Sequence, residues 1–351
     1  MVVAAGMLPL MSDMGSSAAQ YPDLANANLD RVKLTTAADA VSRFVQDGDS
    51  IYAGYTQVPH ALAYEIIRQE RRGLEGIAAS AGIQMSHFIM AGCMDRVRSG
   101  YVGGALRPGL ISEKMASGEL KFEDYSNGAI AMMLMAGAYG LPFVPMKWFL
   151  GTDYLNPENV DHPAAFLGQD KWKVIESPFD GERFVALPAI KPNVTIMHFQ
   201  RADVYGNVQG WGALGDARFA LWAAERVIVS VEEIVPTDVI GRDPNRTLVP
   251  GARVSAVVHE PWGAHPTHLS GYYDYDYPFI AATGIAGTSQ EGWDAYRAEW
   301  IDAAPSRADY MAHLRDRFGE EWLENITPQQ DLEPVEPISY GFAPHLAWPS
   351  H

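Results

Sequence analysis

The sequence is short of two kinds of residue, cysteine and the basic residues. Of its 351 residues one is a cysteine, Cys93, and 26 Lys and Arg stand against 43 Asp and Glu, a formal net charge of −17. A single cysteine cannot form an internal disulfide, which predicts a reducing, cytoplasmic location. The acidic surplus argues against nucleic-acid binding and against docking on anionic lipid, because both need clustered basic residues.

Long apolar runs and catalytic signatures are missing as well. No window approaches the ~18 consecutive apolar residues of a membrane span, and no Lys or Arg precedes the apolar start from Met1 to Met14, as it would in a secretory signal. The chain contains no GxSxG, no GxxxxGK[ST] and no Rossmann glycine fingerprint. What is present is the composition of a packed globular protein, 48% hydrophobic and 20% charged.

The chain is predicted to have three parts. Residues 1–30 are the first part: after the apolar start, MGSSAAQYPDLANANLD (14–30) is small, polar and aperiodic, which indicates a mobile N-terminal arm or an arm that crosses to a partner chain. Residues 31–304 have the length and patterning of one large domain. Residues 305–351 are acidic and contain prolines, and we interpret them as a C-terminal extension.

Short apolar strands alternate with amphipathic helices in the large domain. This rhythm of strand, glycine turn and helix predicts parallel strands with helical crossovers, in an open sheet with helices on both faces. Ligands bind such sheets beyond the carboxyl ends of the strands, so the glycine turns should share one edge. The first three predicted strands are 50–53, ending at Gly54, 74–79, followed by Gly82, and 97–102, followed by Gly103 and Gly104.

The first two glycine turns also carry polar side chains. Each turn precedes a predicted helix, and the free N–H groups at a helix start favour a carboxylate or a phosphate. A plain strand-to-helix turn with a Thr cap is the alternative for the first turn. The two turns together favour an anion pocket. Its candidate residues are Gly54, Thr56 and Gln57 in the first turn and Ser80, Gly82 and Gln84 in the second.

Four further patterns have simpler interpretations. His259, His265 and His268 lie in HEPWGAHPTH, where two prolines break any helix, so we predict a loop that shapes a pocket or an interface rather than a metal site. His198 ends a buried strand and is interpreted as a hydrogen-bonded core residue. The alternating run 272–277 is interpreted as a tyrosine-rich interface strand rather than a sugar or nucleotide platform. Residues 148–183 are interpreted as an insert.

Several stretches together resemble a known family. They are GYTQVPHALAYEIIRQ (54–69), AGCMDRVRSGYVGG (91–104), GAIAMMLMAGAYGLPFVPMKWFLGTD (128–153), ALPAIKPNVTIMHFQRADVYGNVQ (186–209) and GAHPTHLSGYYDYDYPF (263–279). The chain resembles the A subunit of family I coenzyme A transferases, most closely the glutaconate CoA-transferase branch. The resemblance runs from about residue 34 to about residue 300. It implies the open α/β fold of that family for residues 31–304.

The resemblance also implies a chemistry shared between two chains. In this family a glutamate attacks the acyl-CoA and passes through an anhydride to a glutamyl-CoA thioester, and in the glutaconate branch that glutamate belongs to the B subunit. A heterodimer or A2B2 assembly with a B subunit would follow, in which this chain supplies pocket walls. Coenzyme A enters as a substrate thioester, with no permanently bound cofactor and no metal.

The resemblance assigns roles to the candidate residues. The turn with Gly54, Thr56 and Gln57 matches one that helps to hold the acyl carboxylate. Ser80, Gly82 and Gln84 match the next turn of the active site, and Gly103 and Gly104 follow the third strand. Tyr205-Gly206-Asn207 matches another family element, for which a structural turn is the alternative.

The same scaffold also hosts hydrolases and decarboxylases that act on CoA thioesters. The resemblance to the hydrolase branch implies a glutamate after the strand that ends in YVG. Here residues 103–107 read GGALR and contain no acid. This departure argues against the hydrolase alternative. It does not argue against a lyase, because the deciding residue of a decarboxylase lies in the B subunit.

Overall fold

A large, mostly parallel sheet runs through a computed structural model of the chain, which describes residues 28–103, 109–155 and 170–327. Its strand order is β1-β13-β11-β9-β2-β3-β4-β5, and the neighbours in this order are parallel. The strands of the described residues, including three that form a separate small sheet, are β1 (Leu34–Thr35), β2 (Ser50–Tyr52), β3 (Leu74–Ala78), β4 (Met94–Ser99), β5 (Lys121–Asp124), β6 (Phe143–Met146), β7 (Lys173–Glu176), β8 (Arg183–Pro188), β9 (Val194–Ala202), β10 (Val208–Gln209), β11 (Arg226–Ile234), β12 (Thr247–Val249) and β13 (Ala256–His259). The predicted open, mostly parallel α/β fold is confirmed.

Helices cover both faces of this sheet. They are α1 (Ala37–Phe44), α2 (His60–Arg68), α3 (Ile83–Met90), α4 (Leu110–Ser117), α5 (Asn127–Ala138), α6 (Ala217–Ala223), α7 (Thr237–Arg242), α8 (Tyr277–Ala286), α9 (Gln290–Arg297), α10 (Arg307–Phe318) and α11 (Glu320–Glu324). Successive strand residues point to opposite faces. Ile51 accordingly belongs to one hydrophobic core and Tyr52 to the other. In the described residues no helix is both long enough and apolar enough to cross a bilayer.

The helix α5 shows how sequence positions an element. Ser126 caps it, with its hydroxyl accepting a 3.1 Å hydrogen bond from the N–H of Ala129. Nearly every side chain in α5 is apolar, which is typical of a helix buried on all sides. Ile130, Met133 and Leu134 are fully buried in the second core.

A small antiparallel sheet, in the order β6-β8-β7, interrupts the alternation. The predicted insert, 148–183, contributes β7 and the first residue of β8, while 156–169 lie outside the described residues. The N-terminal arm lies outside them up to residue 27, and the C-terminal stretch from residue 328 onwards. Between those limits, α10 packs on the first core through Tyr310 and Leu314. The domain boundaries themselves stay a prediction.

The tyrosine-rich run does not form the predicted strand. Leu269 and Tyr273 make an isolated bridge, and a helix, α8, begins at Tyr277. The reason is local: Asp276 caps α8 by accepting a 3.0 Å hydrogen bond from the N–H of Phe279, and Pro278 suits a first helical turn. The prediction of a strand here is wrong.

Candidate active site

The first turn of the predicted site depends on a glycine. Gly54 follows β2 with φ +43°, and a Cβ there would lie 2.9 Å from both Met197 Sδ and the carbonyl oxygen of Thr56. A side chain would be strained by the dihedral and would also clash. The chain can therefore turn this sharply beneath the sheet edge only with glycine at this position.

A side chain of the second turn secures the first turn. Gln84, in the first turn of α3, donates a 2.7 Å hydrogen bond from Nε2 to the carbonyl oxygen of Ala53, and the same nitrogen contacts the carbonyl oxygen of Gly54. Gln84 is fully buried, and its Oε1 has no hydrogen-bond partner. The two turns therefore lie side by side at one edge of the sheet.

Gln57 points to a different neighbour. Its φ is +57° and its side chain is buried, with Nε2 donating a 3.1 Å hydrogen bond to the carbonyl oxygen of Trp211. Its own carbonyl oxygen accepts a 3.0 Å hydrogen bond from the N–H of His198 in β9. Left-handed backbone at a non-glycine residue is uncommon and occurs where surrounding structure enforces it. Gln57 therefore links the first turn to β9.

A cleft of about 680 Å³ opens where β2, β3 and β4 end. This volume is within the range of small-molecule sites. One wall is formed by the second turn and the start of α3, and the opposite wall by α8. Its lining residues are Tyr55, Val58, Gly82, Ile83, Gln84, Ser86, Met90, Tyr101, Gly103, Gly109, Ile111, Thr267, Tyr275, Tyr277, Ile280, Ala281, Thr283, Gly284, Ile285, Gly287 and Thr288.

The first turn of α3 supplies the cleft with backbone N–H groups and a hydroxyl group. Gly82 is the N-cap residue and has no side chain to bond the first N–H groups of the helix. The Ser86 hydroxyl lies 3.2 Å from the carbonyl oxygen of Gly82 and 3.1 Å from that of Gly103, so it can donate to either. Ser86 thus joins the second and third turns. The free N–H groups of Ile83 and Gln84 can bind a carboxylate or a developing oxyanion.

In the part of the chain that the structure describes, the cleft lining contains no carboxylate, thiol or amine nucleophile and no base that could activate its hydroxyl groups. Its residues include no Asp, Glu, Cys, His, Lys or Arg. Hydroxyl groups and backbone N–H groups can orient a carbonyl or a carboxylate, but a hydroxyl becomes an effective nucleophile only beside a general base, and the lining residues supply none. The described lining residues can therefore bind and orient a substrate but do not supply the group that attacks it.

The predicted site residues separate into two groups. Gly82, Gln84 and Gly103 line the cleft. Gly54, Thr56, Gln57 and Ser80 are not among its lining residues, and Gly104 lies outside the described residues. The Ser80 hydroxyl instead accepts a 3.1 Å hydrogen bond from Asn127 Nδ2. Gly54 supports the cleft indirectly, through its carbonyl contact with Gln84.

Sequence reasoning missed the opposite wall. The helix α8 supplies Tyr277, Ile280 and Ile285, and none of these was a candidate. A signal was present, since Asp276 and Pro278 form a helix start before the apolar run FIAATGIA. Ser86 and Tyr101 were also missed, and the sequence carries no signal for them, because their position depends on how α3 and β4 pack.

His198, in β9, is structural. His198 Nε2 lies 2.8 Å from Glu232 Oε1, which also accepts a 2.7 Å hydrogen bond from the hydroxyl of Tyr273. Burial alone would raise the pKa of Glu232, but the hydrogen bonds from His198, Tyr273 and the N–H of Trp262 lower it. His198 is thus the hydrogen-bonded core residue that its strand predicted.

A second buried pair fixes the start of α8. His265 is fully buried, with Nδ1 2.9 Å from the Tyr310 hydroxyl and Nε2 3.1 Å from Asp276 Oδ2. Burial lowers the pKa of His265 to about 4, so the ring is neutral at physiological pH. In the described segments no three His, Cys, Asp or Glu residues are grouped to hold a metal ion.

The Tyr205-Gly206-Asn207 element forms a turn closed by Asp203. Asp203 Oδ1 accepts hydrogen bonds of 3.0 Å from the N–H of Tyr205 and 2.9 Å from that of Asn207. Gly206 has φ +90°, which glycine adopts without strain. The structural alternative therefore accounts for this motif.

Comparisons with known proteins identify the family. A family model described as coenzyme A transferase matches residues 34–260. The A subunit of 3-oxoadipate CoA-transferase from Pseudomonas knackmussii is 34% identical over 81% of this chain and 99% of its own length. Open parallel α/β proteins with a cleft at the strand ends are a broad class; within it, this chain belongs to the coenzyme A transferase family. The predicted membership, and with it the prediction of an enzyme of this class, is confirmed.

Structural comparison gives the same answer. The crystal structure of glutaconate coenzyme A-transferase from Acidaminococcus fermentans matches with a TM-score of 0.75 and 33% identity, over 84% of this chain and 96% of that one. A cholesterol ring-cleaving hydrolase, the IpdA subunit of Mycobacterium tuberculosis, is 28% identical over 82% of this chain and 98% of its own length. The identity is thus higher to the two transferases than to the hydrolase.

Proposed function

We propose that this chain is the A subunit of a CoA-transferase that moves CoA between an acyl-CoA and a carboxylic acid, with the catalytic glutamate on a B subunit. The observation that carries the proposal is the cleft at the carboxyl ends of β2, β3 and β4, which has polar binding groups but neither a carboxylate nor a base-activated nucleophile among its described residues. Relatives named as the A subunits of CoA-transferases support a second chain.

The chemistry assigns this chain the binding half of the reaction. A glutamate carboxylate of the B subunit attacks the thioester carbonyl, the CoA thiolate leaves, and an anhydride forms. The thiolate then attacks the glutamyl carbonyl of the anhydride and releases the first acid, leaving a glutamyl-CoA thioester. The acceptor carboxylate reverses these two steps. The N–H groups at the start of α3 are suited to the charge that develops on oxygen.

The rim of the cleft supports a partner at this edge. Tyr55, Tyr101, Tyr277 and Ile285 are large apolar residues with exposed fractions of 52%, 47%, 68% and 71%. Exposed aromatic and aliphatic residues grouped around one opening indicate a protein interface. A B subunit seated here would cover the cleft and bring its glutamate to the thioester.

Reconstitution tests the reaction. The chain and its B subunit, expressed together, should exchange CoA between an acyl-CoA and added acids, in a panel that includes 3-oxoadipate and glutaconate. Borohydride should trap a glutamyl-CoA thioester on the B subunit. Consumption of acyl-CoA without any acceptor acid would contradict transfer and favour the hydrolase or lyase alternative. Exchange by this chain alone would contradict the assignment of the glutamate to its partner.

The interface is tested separately. Ile285→Glu should weaken association with the B subunit at least tenfold, because it places a charge in the centre of the proposed contact. Phe179→Glu is the matched control, since Phe179 is 95% exposed and is not among the cleft residues. Size-exclusion chromatography and titration calorimetry measure the effect. Equal association of both variants with the B subunit would contradict the proposed position of the B subunit at the cleft rim.

A further inference from the structure

A second cavity lies at the same edge of the sheet, towards the β1 end. It encloses about 370 Å³ and shares no lining residue with the cleft. Its lining comes from the end of β1, from α2, from the end of β13 and from the start of α10. The lining residues fall in the segments 34–38, 61–68, 258–260 and 304–310. None of the residues assigned to the proposed reaction contributes to it.

Arg307 brings a positive charge to this cavity. The side chain is 6% exposed, with Nε donating a 3.0 Å hydrogen bond to the carbonyl oxygen of Trp262 and Nη2 a 2.9 Å hydrogen bond to that of His265. Its remaining terminal nitrogen, Nη1, has no hydrogen-bond partner. The guanidinium group also stacks on Tyr310, with Cζ 3.9 Å from the ring centroid. A ring face is no acceptor for an N–H in the plane of the guanidinium, so Nη1 is left to bond an acceptor that comes from a ligand.

Thr35 and two helix starts add hydrogen-bond donors. Thr35 Oγ1 is buried and also has no partner. Helix α1 begins after the cap residue Thr36, and α10 begins after the cap residue Ser306, and both caps line the cavity. The cap side chains already accept hydrogen bonds from the N–H groups of Asp39 and Asp309. The first two N–H groups of each helix have no partner within the helix, and the helix dipole favours negative charge there.

The charges of Arg68 and Glu65 nearly cancel, so Arg307 and Glu260 determine the net charge of the cavity lining. Arg68 is paired with Glu65 at 2.9 Å on α2. Burial raises the pKa of Glu260 to about 7, against the opposing effects of Arg307 and Arg68 and with support from Glu65. Near neutral pH Glu260 is therefore half protonated, and its acid form can donate a hydrogen bond.

We propose that this cavity binds a small carboxylic acid, whose carboxylate accepts hydrogen bonds from Arg307 Nη1 and from the start of α1. Apolar residues line the remaining walls, among them Leu34, Ala61 and Val258, and they suit a short aliphatic body. A doubly charged phosphate fits less well, because Glu260 would face it. Glu260 in its acid form completes the set of donors.

Calorimetry on the full chain in complex with its partner tests the proposal, with butyrate and inorganic phosphate as probes. Because the cleft is expected to bind acids as well, every variant also carries Ala281→Trp, which narrows the cleft. Arg307→Met should lower butyrate affinity at least tenfold. Arg317→Met on the same helix, with a side chain 60% exposed, is the matched control and should change nothing. If Arg307→Met fails to fold, Ala61→Leu serves instead, because it fills the cavity from α2.

The pH dependence provides a separate check. Butyrate affinity should fall severalfold from about pH 6 to about pH 8 as Glu260 ionises, and Glu260→Gln should remove that fall. The other titratable groups that line the cavity are Arg307, Arg68, Glu65, His259, Tyr64 and Tyr310, and they are unchanged in this variant. Full butyrate affinity in both Arg307→Met and Ala61→Leu would overturn the site. Phosphate binding as tightly as butyrate would overturn the assignment to a carboxylic acid.

Discussion

The side-chain amide of Gln84 donates a 2.7 Å hydrogen bond to the backbone carbonyl oxygen of Ala53. These residues belong to different strand–helix units, Ala53 after β2 and Gln84 at the start of α3. The bond makes two turns of one sheet edge a single unit. Loss of Gln84 should therefore affect the first turn as well as the cleft wall.

Replacing Gln84 with Met keeps the bulk of the side chain and removes its donor. Two buried carbonyl oxygens then lose a hydrogen bond, and the free energy of unfolding should fall by about 1–3 kcal/mol. CoA transfer with the B subunit should slow roughly tenfold, because the wall shifts. Urea unfolding and a transfer assay measure both effects. Gln46→Met, at an exposed position, is the control; an equal loss in both variants would contradict the role of Gln84.

Two glycine variants separate the cost of close packing from the cost of backbone strain. Gly54→Ala combines φ +43° with contacts of 2.9 Å, whereas Gly140→Ala has φ +73° and open space around the new Cβ. We expect Gly140→Ala to cost about 1 kcal/mol and Gly54→Ala clearly more, about 2–4 kcal/mol. Urea unfolding of the two variants gives the difference. Equal costs would show that the Met197 and Thr56 contacts relax freely.

His87 should make stability fall in acid. Burial lowers the pKa of His87 to about 3, against about 6.5 in an unfolded chain. Below pH ~6.5 the unfolded state therefore binds a proton that the folded state refuses, and stability falls by about 1.4 kcal/mol per pH unit from this group until the folded pKa is reached. Above pH ~6.5 the effect is absent. Both ring nitrogens of His87 lack hydrogen-bond partners, so a nonpolar side chain can replace it.

Replacing His87 with Leu should accordingly flatten the dependence of stability on pH between about 6.5 and 4. Urea unfolding at several pH values measures the slope. His313→Leu is the control, since His313 is partly exposed and contacts Glu299 at 3.3 Å. A slope in His87→Leu as steep as in the unmodified chain would contradict the buried neutral ring.

Cys93 should be unreactive until the chain unfolds. It is 1% exposed, and burial raises the pKa of its thiol to about 11, so the reactive thiolate is scarce at neutral pH. An excess of a thiol reagent should label less than a tenth of the folded chain in an hour and one equivalent in denaturant. Rapid labelling of the folded chain would contradict the burial.

Much of the architecture could be predicted from local signals. The glycine after β2 and the alternation of strand and helix were sufficient to predict a parallel sheet and a shared edge. The direction of side chains was not predictable in this way. Gln57 and Gln84 are both polar turn residues, yet only Gln84 lines the cleft, because positive φ turns Gln57 towards Trp211. Such differences depend on contacts between segments distant in sequence.

The strand order has a consequence for how this chain reaches its fold. β2 pairs with β9, and β1 pairs with β13. Ile51 therefore cannot meet its partner Val194, nor Leu34 its partner Val257, until the later strands have been synthesised. Pairings between such distant segments make folding slow. On the ribosome, β2 has an unpaired edge until β9 emerges, and an open strand edge invites aggregation. We therefore expect a late folding step and a need for chaperones during synthesis.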